Sequence, residues 1–143
     1  MSLDTAYDDA NIFAKILRGE IPSAKVFEDD DVLSFMDAFP QSRGHTLVIP
    51  KHPAVNLFDL PPDALQTLIA RVQTIAIAVR KTLTPDGVFI GQFNGSPAGQ
   101  TVFHIHFHII PRYEAQPYQA HAQGEQADMD QLKALAAEIS AAL

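Results

Sequence analysis

Three histidines at alternate positions in one apolar run, Val102-Phe103-His104-Ile105-His106-Phe107-His108-Ile109-Ile110, constrain this chain more than any other feature. Successive side chains of a β-strand point to opposite faces, so a period of two puts His104, His106 and His108 on one side. Phe103, Ile105, Phe107 and Ile109 then point to the other side and anchor the strand. The pattern predicts an extended segment with an apolar back and an imidazole front. Imidazole acts as nucleophile, acid, base or metal ligand near neutral pH without a large pKa shift. That front is a candidate active site.

The rest of the chain supplies elements to surround it. Ile12 to Gly19 has apolar residues at helical spacing and a glycine placed to stop the helix. Ala24 to Glu28 and Val32 to Asp37 read as a hairpin about the acidic turn Asp29-Asp30-Asp31. His45 to Ile49 is a third strand, opened by Gly44 and closed by Pro50. Leu65, Leu68, Ile69, Val72, Ile75, Ala76, Val79 and Leu83 form a stripe at the helical period, so Asp63 to Leu83 is the long helix. Gly87 to Phe93 is a fourth strand, Asn94 to Gly99 a loop, and Pro111-Arg112 closes the histidine strand. Tyr113 to Ala127 is polar and unpatterned, and Met129 to Leu143 reads as a last helix. Sequence-adjacent strand pairs predict an α+β domain with a five-stranded, mainly antiparallel sheet.

The 143 residues, 47% of them hydrophobic, suit one domain over residues 1–143, with residues 1–11 expected to be flexible. The chain has no cysteine, which excludes disulfides and cysteine-based zinc sites. Residues 1–11 do not resemble a secretion signal and no run approaches a membrane span, so a cytoplasmic protein without membrane contact is expected. A net charge of −7 argues against binding a long nucleic acid but not against small phosphorylated ligands.

Three chemistries fit the histidine row. Hydrogen-bonded histidines on an exposed sheet face are the plainest. A metal site is the second, but a strand rises about 3.3 Å per residue, so His104 and His108 stand about 13 Å apart. They cannot share one ion at Zn–N distances near 2 Å, and a two-histidine site needs a third ligand from His45, His52 or Asp37. Phosphoryl chemistry is the third. Small residues in the loop from Asn94 through Gly99 let backbone N–H groups approach an anion, and Gln100 and Thr101 add donors beside His106 and His108. One neutral imidazole attacks phosphorus while its neighbour donates to a phosphate oxygen.

The run from Gln100 to Ile110 resembles the signature His-φ-His-φ-His-φ-φ, with φ apolar, of the histidine triad superfamily. Gly44-His45-Thr46-Leu47-Val48-Ile49-Pro50-Lys51 is similar to its second block. Ile12-Phe13-Ala14-Lys15-Ile16, Glu20-Ile21-Pro22 and Phe27-Glu28-Asp29-Asp30 resemble the start of its nucleotide-binding branch, often called Hint. This resemblance implies a hydrolase of nucleoside 5′-phosphoramidates or related nucleoside 5′-phosphate derivatives, without cofactor or metal. His106 would be the nucleophile, His108 would hold a phosphate oxygen, and His104 and His45 would orient and polarise. Activity would fall on the acid side near an imidazole pKa of about 6.5. Asp37 would accept the ribose hydroxyls, and Ile12, Phe13, Ile21 and Phe35 would sandwich a purine. Nucleotidyltransferases of the superfamily usually carry Gln where His108 stands, which favours hydrolysis.

The resemblance also implies a homodimer built on the long helix and a sheet edge, and a variable C-terminal region at 113–143. Departures from the pattern are specific. Asn11 and Ala14 occupy the places of zinc-binding cysteines, Phe93 that of an asparagine for which Asn94 is the substitute, and Ala38 that of a larger apolar residue. His121 lies outside the motif and is expected in a solvated loop. Two other functions remain open: a diadenosine-polyphosphate hydrolase of the Fhit branch, and a non-catalytic nucleotide-binding protein.

Overall fold

Val32 to Met36 and Thr46 to Pro50 are buried at every position, so both faces of these strands must be covered. The computed structural model describes residues 3–116 and 125–143. Its elements are α1 (Ile12–Leu17), β1 (Lys25–Glu28), β2 (Val32–Met36), β3 (Thr46–Pro50), α2 (Pro62–Leu83), β4 (Gly87–Gly91), β5 (Phe107–Arg112) and α3 (Met129–Ala141). One sheet has the order β1-β2-β3-β5-β4 with every neighbouring pair antiparallel. The α+β expectation holds. The acidic turn closes the first hairpin because the Asp29 carboxylate accepts N–H bonds from Asp31 and Val32 at 2.8 Å each.

Alternation along the strands divides the interior into two layers. Val32, Met36, Val48 and Ile109 face α2 and α3, in a core with Leu68, Val72, Ile75, Val79, Leu135 and Ile139. Leu33, Phe35, Leu47 and Ile49 face the other way, against Phe13 of α1. His108 is paired with Leu47 across β3 and β5, which puts it on the α1 side. Within α2 one member of the expected stripe is turned outward: Ile69 is 45% exposed, as is Ile77 at 49%. Both lie beside the edge strand β4, in a shallow cleft with Val88 and Ile90.

The histidine run departs from the expected single strand. Strand β5 begins only at Phe107, and residues 101–106 have no strand pairing. The ladder between β3 and β5 stops at Val48 and Phe107. Farther along β3, Pro50 has no N–H to give, and its carbonyl accepts a bond from the His104 ring instead. At its other end β5 ends where expected, with Pro111 and Arg112 as its last two residues, both paired with β4. The expectation for His121 falls outside the described residues. Among the described residues, no helix is long and apolar enough to cross a membrane.

Candidate active site

The registers bring the site together. Met36 pairs with Thr46, which sets Asp37 beside His45, and the Asp37 N–H donates to the His45 carbonyl at 3.0 Å. Parity puts Asp37 with Phe35, and His45 with Leu47, on the same sheet face as His108. Helix α1 brings Phe13 to that face. Its N-terminus is held by Asn11, whose side-chain oxygen accepts the Ala14 N–H at 2.9 Å. The Phe13 ring meets Phe35 at 5.3 Å and His106 at 4.9 Å, both edge to face.

Hydrogen-bond partners fix the tautomers, because carbonyls only accept and backbone N–H groups only donate. His106 Nδ1 lies 2.7 Å from the His104 carbonyl, so Nδ1 carries the proton and Nε2 the lone pair. His104 Nε2 donates to the Pro50 carbonyl at 2.8 Å, leaving Nδ1 to accept from the Tyr7 hydroxyl at 2.6 Å. The Gln41 N–H donates to His45 Nδ1 at 3.0 Å, so the His45 proton sits on Nε2, 3.0 Å from His108 Nδ1. His108 then carries its own proton on Nε2. A relay from Gln41 through His45 thus makes His108 a donor, while His106 presents a base. The two rings are 4.9 Å apart.

A mostly apolar cleft of about 190 Å³ opens beside these rings. Ile12, Phe13, Phe35, Asp37, Thr101, His106 and His108 line it, as expected from the sequence. Ile21 does not, and its neighbours Pro22, Ser23 and Ala24 supply that wall. His104 and His45, both wholly buried, lie behind the cleft, the first bonded through its carbonyl to His106 and the second through its ring to His108. Asp37 has two tasks: Oδ1 accepts the Phe39 N–H at 2.8 Å, and Oδ2 lies 3.4 Å from His45 Nε2.

The loop before the histidines is built differently from the expected anion cradle. The N–H groups of Ala98, Gly99 and Gln100 bond to carbonyls of Ser96 and Gly95 within the loop itself. Gly95 and Gly99 permit this turn because their φ angles are +85° and +113°. The Gln100 amide is consumed as well, donating to the Val55 and Val102 carbonyls and accepting the Gly95 N–H. Asn94 accepts the Leu57 N–H and pairs with Gln92, so its side chain holds two loops together. Gly99, Gln100 and Asn94 therefore shape the cleft without lining it, and Thr101 is the loop residue that reaches it. The Phe93 ring packs on His108 with centroids 5.4 Å apart.

Sequence reasoning missed Tyr7, Gln41 and Met129. The first lay in a segment expected to be flexible, the second acts through its backbone, and Met129 lines the cleft from the first residue of α3. None carries a local pattern that signals its role.

Among the described residues, Asp37, His45 and His108 bring one potential ligand atom each within 4.8 Å of one another. This trio contains only one of the three alternating histidines, and His52 is exposed and outside it. A cation on His45 Nε2 would displace the proton there, and a neutral ring would then turn Nδ1–H against the Gln41 N–H. The backbone thus favours the hydrogen-bonded relay over a metal centre.

A family model described as the HIT domain matches residues 18–115. The chain is 47% identical over 102 residues to "Protein hit" of Bacillus subtilis, covering 71% of this chain and 70% of that protein. It is 42% identical over 103 residues to the adenylylsulfatase HINT3 of Arabidopsis thaliana, 72% of this chain but 52% of that longer protein. A crystal structure of a Hit-like protein involved in cell-cycle regulation from Bartonella henselae, with an unknown ligand, superposes with a TM-score of 0.89 at 48% identity. That match covers 97% of this chain and all of the other. The histidines, their order and the fold that carries them make this chain a member of the HIT family.

Proposed function

We propose that this protein is a nucleotide hydrolase that cleaves nucleoside 5′-phosphoramidates or related nucleoside 5′-phosphate derivatives at the α-phosphorus. The observation that carries the reading is the opposed tautomers of His106 and His108: a lone pair on one Nε2 and a proton on the other, both rings bordering one cleft. His106 Nε2 attacks phosphorus, the P–N bond breaks, and the amine leaves with the bonding pair and takes up a proton from solvent water, which the later hydrolysis returns. The developing imidazolium keeps its Nδ1–H on the His104 carbonyl, while His108 Nε2–H donates to a phosphate oxygen. Water then attacks the nucleotidyl-histidine, releasing the nucleoside monophosphate and restoring His106. The purine lies between Ile12, Phe13 and Phe35, and Asp37 Oδ2 accepts from the ribose. No metal or cofactor takes part, and the protein acts as a cytoplasmic homodimer.

The test follows AMP release from adenosine 5′-phosphoramidate, with and without EDTA. His106→Ala is expected to lose at least about a thousandfold in kcat, in line with removal of a nucleophile, and EDTA to change nothing. Faster turnover of a diadenosine polyphosphate would favour the alternative hydrolase reading, supported by Gln100 and Pro111-Arg112. Tight AMP binding without any turnover would mean a nucleotide-binding protein, and full activity in the variant would reject the nucleophile.

A further inference from the structure

The residues that carry His106 are held in an unusual way. Residues 101–106 belong to no strand, and Ile105 N–H to the Ala54 carbonyl, at 2.9 Å, is the backbone bond that fastens their middle. The His104 carbonyl, which accepts the His106 Nδ1–H, is therefore placed largely by what fixes His104. Two contacts do so: the ring's Nε2–H on Pro50, and the Tyr7 hydroxyl on Nδ1. The Tyr7 and His104 rings also meet edge to face, 5.6 Å between centroids.

Tyr7 comes from 97 residues away, and its approach is itself secured. On one side the Leu3 carbonyl accepts from the Asn56 side chain at 3.1 Å, and the Leu3 side chain packs against Gly95. On the other, Arg18 donates to the Asp9 carbonyl at 2.8 Å and Asn11 N–H bonds to the Asp8 carbonyl. Residues 3–11 thus form a strap drawn across the back of the active site, fastened at both ends with Tyr7 between. The phenol is half-buried, and burial pushes its pKa up, so the hydroxyl keeps the proton it donates. His104 Nδ1 has no competing use for its lone pair, because a neutral ring with Nε2–H committed must accept there.

We infer that Tyr7 is a positioning residue for the reaction: its hydroxyl locks the His104 ring, and through the His104 carbonyl it aims the lone pair of His106 at phosphorus. Tyr7 does not border the cleft and touches no substrate. Its removal should leave nucleotide affinity intact and slow the chemical step, since a small misplacement of an attacking group costs far more in rate than in binding.

The experiment uses Tyr7→Phe, which keeps the ring and its packing and deletes one oxygen. The kinetic half rests on the proposed hydrolase reading, and an NMR half does not. Expected are an AMP dissociation constant equal to that of the parent protein and a kcat for adenosine 5′-phosphoramidate lower by about tenfold or more. In 1H–15N spectra the parent's His106 Nδ1–H resonance, protected by the His104 carbonyl, should be broadened or lost in the variant. An unchanged kcat, or an unchanged resonance, would overturn the inference. Equal losses of affinity, rate and thermal stability would also overturn it, showing a merely structural strap. If the parent protein itself does not turn over, the hydrolase reading fails, and the resonance alone decides the role of Tyr7.

Discussion

Burial holds the His104 imidazole below the ordinary histidine range, and its bond to the Pro50 carbonyl offsets this only in part. The folded protein thus keeps this ring neutral at a pH where the unfolded chain, with an ordinary value of about 6.5, takes up a proton. The sign follows: this contribution to stability is fully present above pH 6.5 or so and is lost as pH falls towards the depressed folded value. The slope is at most about 1.4 kcal/mol per pH unit for one group. Urea unfolding between pH 7.5 and 5 should show this loss, and His104→Asn should flatten the curve while lowering stability at neutral pH. An equally steep acid limb in the variant would assign the proton uptake elsewhere. Tautomers, unlike residue types, were invisible in the sequence: they depend on the Gln41 N–H and the Pro50 carbonyl, backbone groups that nearly every residue type carries alike.

At the level of elements, the loop after β4 is organised by a single buried side chain. Gln100 holds the Gly95 N–H and the carbonyls of Val55 and Val102, so its truncation leaves several buried polar groups without partners. Gln100→Ala should cost about 2 kcal/mol or more, read as a lower urea midpoint with an unchanged m-value. Most elements were legible because each follows a local rule: short apolar runs bounded by turn residues in β2 and β3, the helical stripe in α2, turn chemistry at Asp29. The histidine run misled, because its alternation suits a strand while the ladder is ended by a partner, Pro50, distant in sequence. Glycines and small residues between Asn94 and Gly99 suggested an anion cradle for a similar reason. Composition shows that N–H groups can approach a ligand, but not that Ser96 and Gly95 carbonyls have already taken them. The histidine row was readable from residue type and spacing alone, whereas Asp37, Phe13 and Phe35 were singled out only by the resemblance to the histidine triad superfamily.

Across the whole molecule, one of the two sheet edges, β4, is flanked by exposed apolar side chains on strand and helix alike. Ile90 is 44% exposed next to Ile69 and Ile77 of α2, and Phe89, also 44% exposed, points to the other face of the same strand. Exposed apolar surface of this kind is what an interface covers, and the proposed homodimer would do so with identical faces about a two-fold axis. Light scattering should report twice the mass of the 143-residue chain, and Ile77→Asp should shift it towards monomer by placing a charge in the apolar contact. A parent protein that scatters as monomer would reject the pairing. The strap and the first residue of α3 carry a different consequence. The HIT-domain match covers residues 18–115, whereas Tyr7 and Phe13 precede it and Met129 follows it. The histidines and the sheet belong to the matched middle, while the hydroxyl that meets His104 and parts of the cleft wall come from the two flanks. A stretch of gene encoding the matched domain alone would carry all three histidines, yet neither the oxygen behind the first of them nor a complete doorway to the cleft.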